Sequence, residues 1–333
     1  MIRRLFNNFR RSQNNPDLSV IVVAYDMERE LPRTLQSLGR NYQQQVDELR
    51  YEVIVVDNGS PNPVSEAQVR RWGDDFRLLR IENAPPSPAL AINQGVELAR
   101  APVLGILIDG ARLVTPGVLH WAQRAFQHRA RAVASCIGFH LGPEHQRLAS
   151  QRGYSKQVED HLLRRIGWPE KGYRLFEIAS LSGSSPAGWS GSISESNCVF
   201  LPRNLFDEVG GYEVRFASPG GGMVNLDFYR RICTAPEVEL FHIMGEGSFH
   251  QIHGGVTTGG GTAKPEFDAQ REEYLSIRGA PYSNPHKRPI LLGRSTPEAT
   301  WLLANGANTI VQKNLQTDIR NQHMEATGLD YRW

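Results

Sequence analysis

In the stretch GILIDGARLVTPG, residues 105–117, an apolar run ends on an acid: Leu104–Ile108 gives way to Asp109, then Gly110, Ala111 and Arg112. A carboxylate at the mouth of a buried strand is costly unless it is hydrogen-bonded or holds a ligand. Two earlier apolar runs end in the same way, LSVIVVAY at Tyr25-Asp26 and YEVIVVDNGS at Asp57-Asn58. Open α/β sheets bind ligands outside the carboxyl ends of their strands, so these three polar exits point to one crevice. Each acid also has a local use, because Asp57 can cap the turn at Asn58-Gly59 and Asp109 the turn at Gly110. Further along, GSFHQIHGG sets His250 and His253 three residues apart, and DFYRRI opens on Asp227. An acid in the first turn of a helix is favoured by the macrodipole whatever else it does.

The elements that must position these residues alternate between two periods. LSVIVVAY and YEVIVVD are the continuous β-branched runs of strands covered on both faces. FRLLRIEN, VLGILIDG and AVASCIGFHL (132 to 141) supply three more strands. Between them, ERELPRTLQSL spaces Leu31, Leu35 and Leu38 as a helix does. SPALAINQGVELAR and PGVLHWAQRAFQHR open on Pro near the first turn. This alternation predicts right-handed βαβ units and a mostly parallel, Rossmann-like sheet flanked by helices. Beyond residue 142 the pattern loosens into a helix over 155–166, a Gly/Ser-rich loop to Asn197, a strand at CVFLPR and a helix opening at Asn225. Helical pieces follow near 266–277 and 297–304.

Composition narrows the class. With 333 residues and 40% hydrophobic content, the chain can bury one large core or a core and a smaller lobe. Lys+Arg 37 against Asp+Glu 35 argues against a nucleic-acid binder. The start, MIRRLFNNFRR, has four arginines and no acid, which reads as a solvated tail with at most peripheral membrane contact. No stretch reaches the ~20 apolar residues of a membrane span. The three cysteines, Cys136, Cys198 and Cys233, show no paired spacing and read as buried thiols of a cytoplasmic protein.

The ordered set VIVVAYDMERELPRTLQSL, YEVIVVDNGSPNPV, NQGVELARAPVLGILIDGARLVTPG, FLPRNLFDEVGGYEVRF and DFYRRI resembles the inverting family 2 glycosyltransferases of GT-A fold. The likeness covers roughly residues 18–260. It implies a basic tail (1–17), a GT-A-like domain (18–262) with a nucleotide-binding half (18–141) and an acceptor half (142–262), and a C-terminal extension (263–333) of helical character. The implied reaction moves a sugar from a nucleotide-sugar donor, a UDP-sugar in the usual case, to a glycan or small hydroxyl acceptor in polysaccharide synthesis.

The resemblance also distributes roles. Ala24, Tyr25, Asp26 and Glu28 would sit beside the nucleotide, with Asn93 and Gly110 among the donor contacts. Asp57 matches the aspartate that accepts from a ring N–H of the base, which a carboxylate can do and cannot reciprocate. Asp109 matches the first acid of an Asp-x-Asp motif that holds the ribose and a divalent cation, Mn2+ or Mg2+. Ala111 replaces the second acid, which leaves three readings. His253 or His250 completes a metal site with Asp109, since manganese accepts imidazole; Arg112 substitutes as a fixed charge on the diphosphate; or catalysis has been lost. The general base of the family falls in a Glu-Asp pair that aligns on Val224 and Asn225. Asparagine is no base, so Asp227, or another acid such as Glu195, takes the proton. Gly220-Gly221-Gly222 would serve as a hinge or a plain linker, and Trp189 would stack on a sugar or pin its loop. The rival reading is a nucleotide-sugar binder without turnover. A dinucleotide oxidoreductase is disfavoured, because AYDMERE lacks the glycines of a pyrophosphate turn.

Overall fold

The computed structural model describes residues 15–253 and 264–305. The basic start through residue 14 and the GGVTTGG run therefore lie outside the described residues. Ten strands and ten α-helices are described. The strands are β1 (Leu18–Ala24), β2 (Tyr51–Asp57), β3 (Phe76–Arg80), β4 (Val103–Leu107), β5 (Arg112–Val114), β6 (Ala132–Leu141), β7 (Ala179–Leu181), β8 (Cys198–Pro202), β9 (Glu239–His250) and β10 (Ile290–Gly293). The helices are α1 (Leu31–Leu38), α2 (Glu66–Arg70), α3 (Ala89–Leu98), α4 (Val118–His128), α5 (Gln146–Gln151), α6 (Lys156–Ile166), α7 (Arg203–Glu208), α8 (Val224–Thr234), α9 (Lys264–Arg278) and α10 (Pro297–Asn305).

One sheet runs in the order β10-β9-β6-β8-β4-β1-β2-β3. From β3 to β4 it is parallel, as the alternating pattern predicts. Beyond β4 it turns mixed: β8 is antiparallel to both β4 and β6, whereas β9 is parallel to β6 and β10. Every residue of β1 and β2 is buried, because helices cover both faces, and the two apolar clusters of the core lie on opposite sides of the sheet. That is why both strands read as unbroken Val/Ile runs.

Strand β9 does the most to build the site. Its register against β6 slips between Ser135 and Ile137, so that Ser135 faces His242 but Ile137 faces Gly247. The extra residues of this bulge include Gly245 at φ 79°, a conformation that suits glycine. Past the bulge the strand runs on to meet β5, with Arg112 opposite His250 and Val114 opposite Ser248.

Glu246 is buried in that bulge. Its Oε2 accepts from Gly117 N at 3.0 Å and its Oε1 from Tyr173 Oη at 2.8 Å. Burial raises this carboxyl to about 7, against the opposing hydrogen bonds. A folded-state pKa above the unfolded value near 4.5 stabilises the fold fully below that value, and the benefit disappears as pH rises through about 7. We expect Glu246→Gln, which stays neutral, to remove a share of the pH dependence worth about 3 kcal/mol. Urea unfolding at pH 5.5 and pH 8 checks this: the wild type loses more stability than the variant over that interval, and parallel losses refute it.

Candidate functional site

A cleft of about 1490 Å³ opens at the carboxyl ends of β1, β2 and β4. Of the residues the sequence singles out, Tyr25, Asp26, Asp109, Arg112, His250 and His253 line it. Tyr25 is 54% exposed, and Asp26 takes a left-handed φ of 52° in the turn after β1, its N–H donating to Ser60 Oγ at 2.9 Å.

Asp109 lies at the centre. Its Oδ1 accepts from Ala111 N at 2.9 Å, and its Oδ2 from Arg112 Nε at 3.0 Å. His250 Nε2 is 3.6 Å from the same Oδ2, and His253 Nε2 is 3.1 Å from His250 Nε2. One ligand atom from each of Asp109, His250 and His253 falls within a 4.8 Å set.

The chain reaches this geometry through several ties. Gly110 has to be small, since a Cβ there would lie 3.1 Å from both Ala24 Cβ and Leu31 Cδ1. Gln251 N donates to Ala111 O at 2.8 Å, and Gln251 Nε2 to Glu30 O at 3.1 Å. Ile252 N donates to Glu159 Oε2 at 2.9 Å, and Arg29 Nη1 to Ile252 O at 3.3 Å. His250 and His253 are thus presented by a backbone fastened on each side.

The state of the imidazoles suits metal ligation. Gln146 Nε2 donates to His250 O at 2.7 Å, which fixes the amide so that Oε1 accepts from His250 Nδ1 at 2.7 Å. The lone pair of Nε2 is then directed at Asp109 and His253, an outer-shell arrangement common behind metal-binding histidines. Burial lowers His250 well below the usual imidazole range, with Arg112 and the neighbouring histidines adding to it. Burial also lowers His253, and Asp109 and Glu30 oppose that shift. Nearby His140 is pushed down to about 3, chiefly by burial. Neutral imidazoles are the ligating form. Ala111 is fully buried in the apolar core, so the position of the missing second acid does not face the cleft.

The other expected residues lie off the large cleft or are engaged by protein groups. Asp57 does not line the large cleft: Oδ1 caps the turn by accepting from Ser60 N at 2.8 Å, and Oδ2 pairs with Arg80 Nη1 at 2.8 Å. Its neighbour Asn58 lines the cleft instead, with Nδ2 on Pro85 O at 3.1 Å and a buried Oδ1 that has no partner. Ala24, Glu28 and Asp57 border a smaller cavity of about 110 Å³. Asn93 is spent on the Tyr212 backbone, donating to its O and accepting from its N at 2.9 Å each. Trp189 is buried and donates to Glu246 O at 2.9 Å, so it pins its loop to the core. Gly220, Gly221 and Gly222 all take positive φ in a turn on the cleft wall.

Asp227 also stands away from the cleft. Arg231 Nε reaches its Oδ2 at 2.8 Å, while Arg278 Nε and Nη2 reach Oδ1 and Oδ2 at 2.6 and 2.7 Å. Both oxygens of the expected base are therefore engaged by arginine. Arg278 belongs to α9, which also caps the 217–218 backbone through Glu273 and lines the cleft with Phe267, Gln270, Arg271, Tyr274 and Leu275. The sequence pattern gave α9 no part in the site, although these five residues follow helical i, i+3, i+4, i+7, i+8 spacing.

The strand order, the cleft at the carboxyl rim and the acid–imidazole cluster define a GT-A type of glycosyltransferase scaffold. S. aureus TarS in complex with UDP-GlcNAc superposes with a TM-score of 0.52 at 12% identity, over 93% of this chain and 73% of that one. Residues 19–180, a little under half of the chain, match the profile of "Glycosyl transferase family 2". Among curated relatives, the validoxylamine A glucosyltransferase of Streptomyces hygroscopicus subsp. limoneus is 28% identical over 227 residues, 64% of this chain and 47% of that protein. The O-antigen biosynthesis protein RfbC of Myxococcus xanthus is 25% identical over 291 residues, 82% of this chain and 20% of that protein. The chain thus spans about half the length of the first and a fifth of the second. No helix among the described residues is long and apolar enough to cross a membrane.

The placement of Asp227 predicts a stability effect. Arg278→Ala leaves a buried carboxylate with Arg231 alone, and we expect a loss of about 1.5–3 kcal/mol, the range for hydrogen bonds to charged groups. Urea unfolding measures it; a change below about 0.5 kcal/mol, the scatter of ordinary surface substitutions, would show that α9 is not tied to the core through this pair.

Proposed function

We propose that the protein is an inverting glycosyltransferase that takes a nucleoside diphosphate-sugar, a UDP-sugar by preference, and passes the sugar to a hydroxyl acceptor in glycan assembly. The observation that carries this is the Asp109–His250–His253 cluster on the wall of a nucleotide-sized cleft, in a chain that matches this family's profile. The donor set fits an imidazole-accepting divalent cation such as Mn2+ better than Mg2+, which prefers oxygen: one carboxylate and two imidazoles, the better buried one oriented by Gln146. When bound, the cation supplies positive charge against which a diphosphate departs. Arg112 shares the Asp109 carboxylate and adds a second, fixed positive charge on the same wall. The base of the nucleotide is assigned to the β2 exit, where Asn58, Ser60 and Arg80 line the cleft and Asp57 lies directly behind them. Tyr25 and Asp26 flank the nucleotide between these points. UDP-GlcNAc, bound in the TarS structure of like fold, and a glucosyl donor, from the name of the validoxylamine relative, are the first candidates to try.

Isothermal titration with UDP, with and without Mn2+, tests the reading. Mn2+ should strengthen UDP binding, Asp109→Ala should abolish the enhancement, and Gln146→Leu should weaken Mn2+ affinity by about 10–100-fold. Equal UDP affinity with and without the metal would assign the diphosphate to Arg112 alone and overturn the metal assignment. Absence of UDP binding in both conditions, with other nucleoside diphosphates also failing, would overturn the function.

A further inference from the structure

The displacement proposed above needs a group to take the acceptor's proton, and this inference rests on that reading. Asp227 is held by three N–H donors from two arginines. Asn225, the position where the family resemblance puts an acid, carries an amide. The cleft is lined by five other carboxylates, Asp26, Glu82, Asp109, Glu195 and Glu272. Asp109 belongs to the histidine cluster, and Glu82 is 73% exposed and paired with Arg80. Asp26 and Glu272 are exposed, and no side chain among the described residues hydrogen-bonds to either carboxylate.

We propose that Glu195 is the general base and that Asn225 is its positioning residue. Glu195 is half-buried on the cleft wall, and its Oε2 accepts from Asn225 Nδ2 at 2.8 Å. No hydrogen bond from the described residues reaches Oε1, which leaves that oxygen for a substrate hydroxyl. Asn225 is itself fixed, with Nδ2 also on Asn197 Oδ1 at 3.1 Å and Oδ1 accepting from Tyr212 Oη at 3.3 Å. Asn93 in turn clamps the Tyr212 backbone, which gives that residue a purpose in the site without a ligand contact.

The sheet puts Glu195 in the right neighbourhood. Strands β4 and β8 are antiparallel with Leu107 opposite Cys198, and Ile108 N donates to Asn197 O at 3.3 Å. Glu195 lies three residues before β8 and Asp109 two residues after β4, so both loops leave the same edge of this pair and both residues line the cleft. The base therefore shares the cleft with the acid that marks the diphosphate and is tied to the start of α8 through Asn225. The start of α8 still addresses the reacting centre, but through an amide that holds the carboxylate of a neighbouring loop.

In the step itself, the acceptor oxygen bonds to the anomeric carbon as its proton passes to Glu195 Oε1. The bond from that carbon to the diphosphate oxygen breaks, and its electron pair leaves with the nucleoside diphosphate. Glu195 then returns the proton to solvent.

Release of UDP from UDP-glucose and UDP-GlcNAc, with water as acceptor and Mn2+ present, is the test, run beside UDP titrations and thermal melts of each variant. Glu195→Gln should lower kcat by about 10²–10⁴-fold with KM and UDP affinity within about twofold, and Glu195→Asp should recover part of the rate. Asn225→Ala should lower kcat at unchanged UDP affinity, less severely than Glu195→Gln. Wild-type kcat in Glu195→Gln, or a fall in UDP affinity that matches the fall in rate, overturns the base assignment while leaving the glycosyltransferase reading intact. A folded Asp227→Asn variant that loses turnover while Glu195→Gln keeps it moves the base to Asp227. A wild-type protein that neither binds UDP nor releases it from either donor fails the underlying reading and this one with it.

Discussion

The site depends on one short antiparallel pairing. Strand β5 is three residues long, yet it joins the end of β4 to the far end of β9 and so places Arg112 opposite His250. Without it, Asp109 and the two histidines, some 140 residues apart in the chain, have no reason to meet. The pairing is possible because the β9 bulge lets the strand leave its β6 register and continue. Around it, Gln146, Glu159, Arg29 and Glu30 hold residues 250–252 from outside the sheet. A cluster of three ligating groups on a flexible loop would pay an ordering cost at every binding event; here the fold has already met it.

The parallel half of the sheet was legible because burial on both faces forces continuous apolar runs, and the acids that end them stand out. The mixed half was not. Strand β9 contains His242, Glu246 and two glycines, residues that break the pattern of a strand and are explained only by the bulge and by partners from β5, α4 and Trp189. At the site, Asp109, His250 and His253 could be read from type and spacing. That Asn58 lines the large cleft while Asp57 caps the turn and pairs with Arg80 was not legible, because both sit at the same strand exit and only side-chain directions separate them. Gln146 carries no signal at all, since its role exists only across 104 positions of sequence.

Two positions where family 2 acids are expected, 111 and 225, hold Ala and Asn, and the surroundings account for both. Ala111 is packed into the core, and the groups beside Asp109 are His250 at the end of β9 and His253 just after it. Asn225 is wired to Glu195, Asn197 and Tyr212. In each case a polar side chain from another segment stands beside the replaced position. Helix α9, outside the matched 19–180 stretch, adds a further wall and locks Asp227, so the cleft is built partly from residues beyond that stretch.

The central claim is that the diphosphate of a nucleotide-sugar lies against Asp109, His250 and His253. A crystal structure of the protein soaked with UDP and Mn2+ tests it most directly. The claim predicts a metal within about 2.5 Å of an Asp109 oxygen and at least one of the two imidazole nitrogens, bridging to the diphosphate, with the base near Asn58. A nucleotide bound elsewhere, or one whose diphosphate lies more than about 10 Å from Asp109 and so far beyond hydrogen-bond reach, contradicts it.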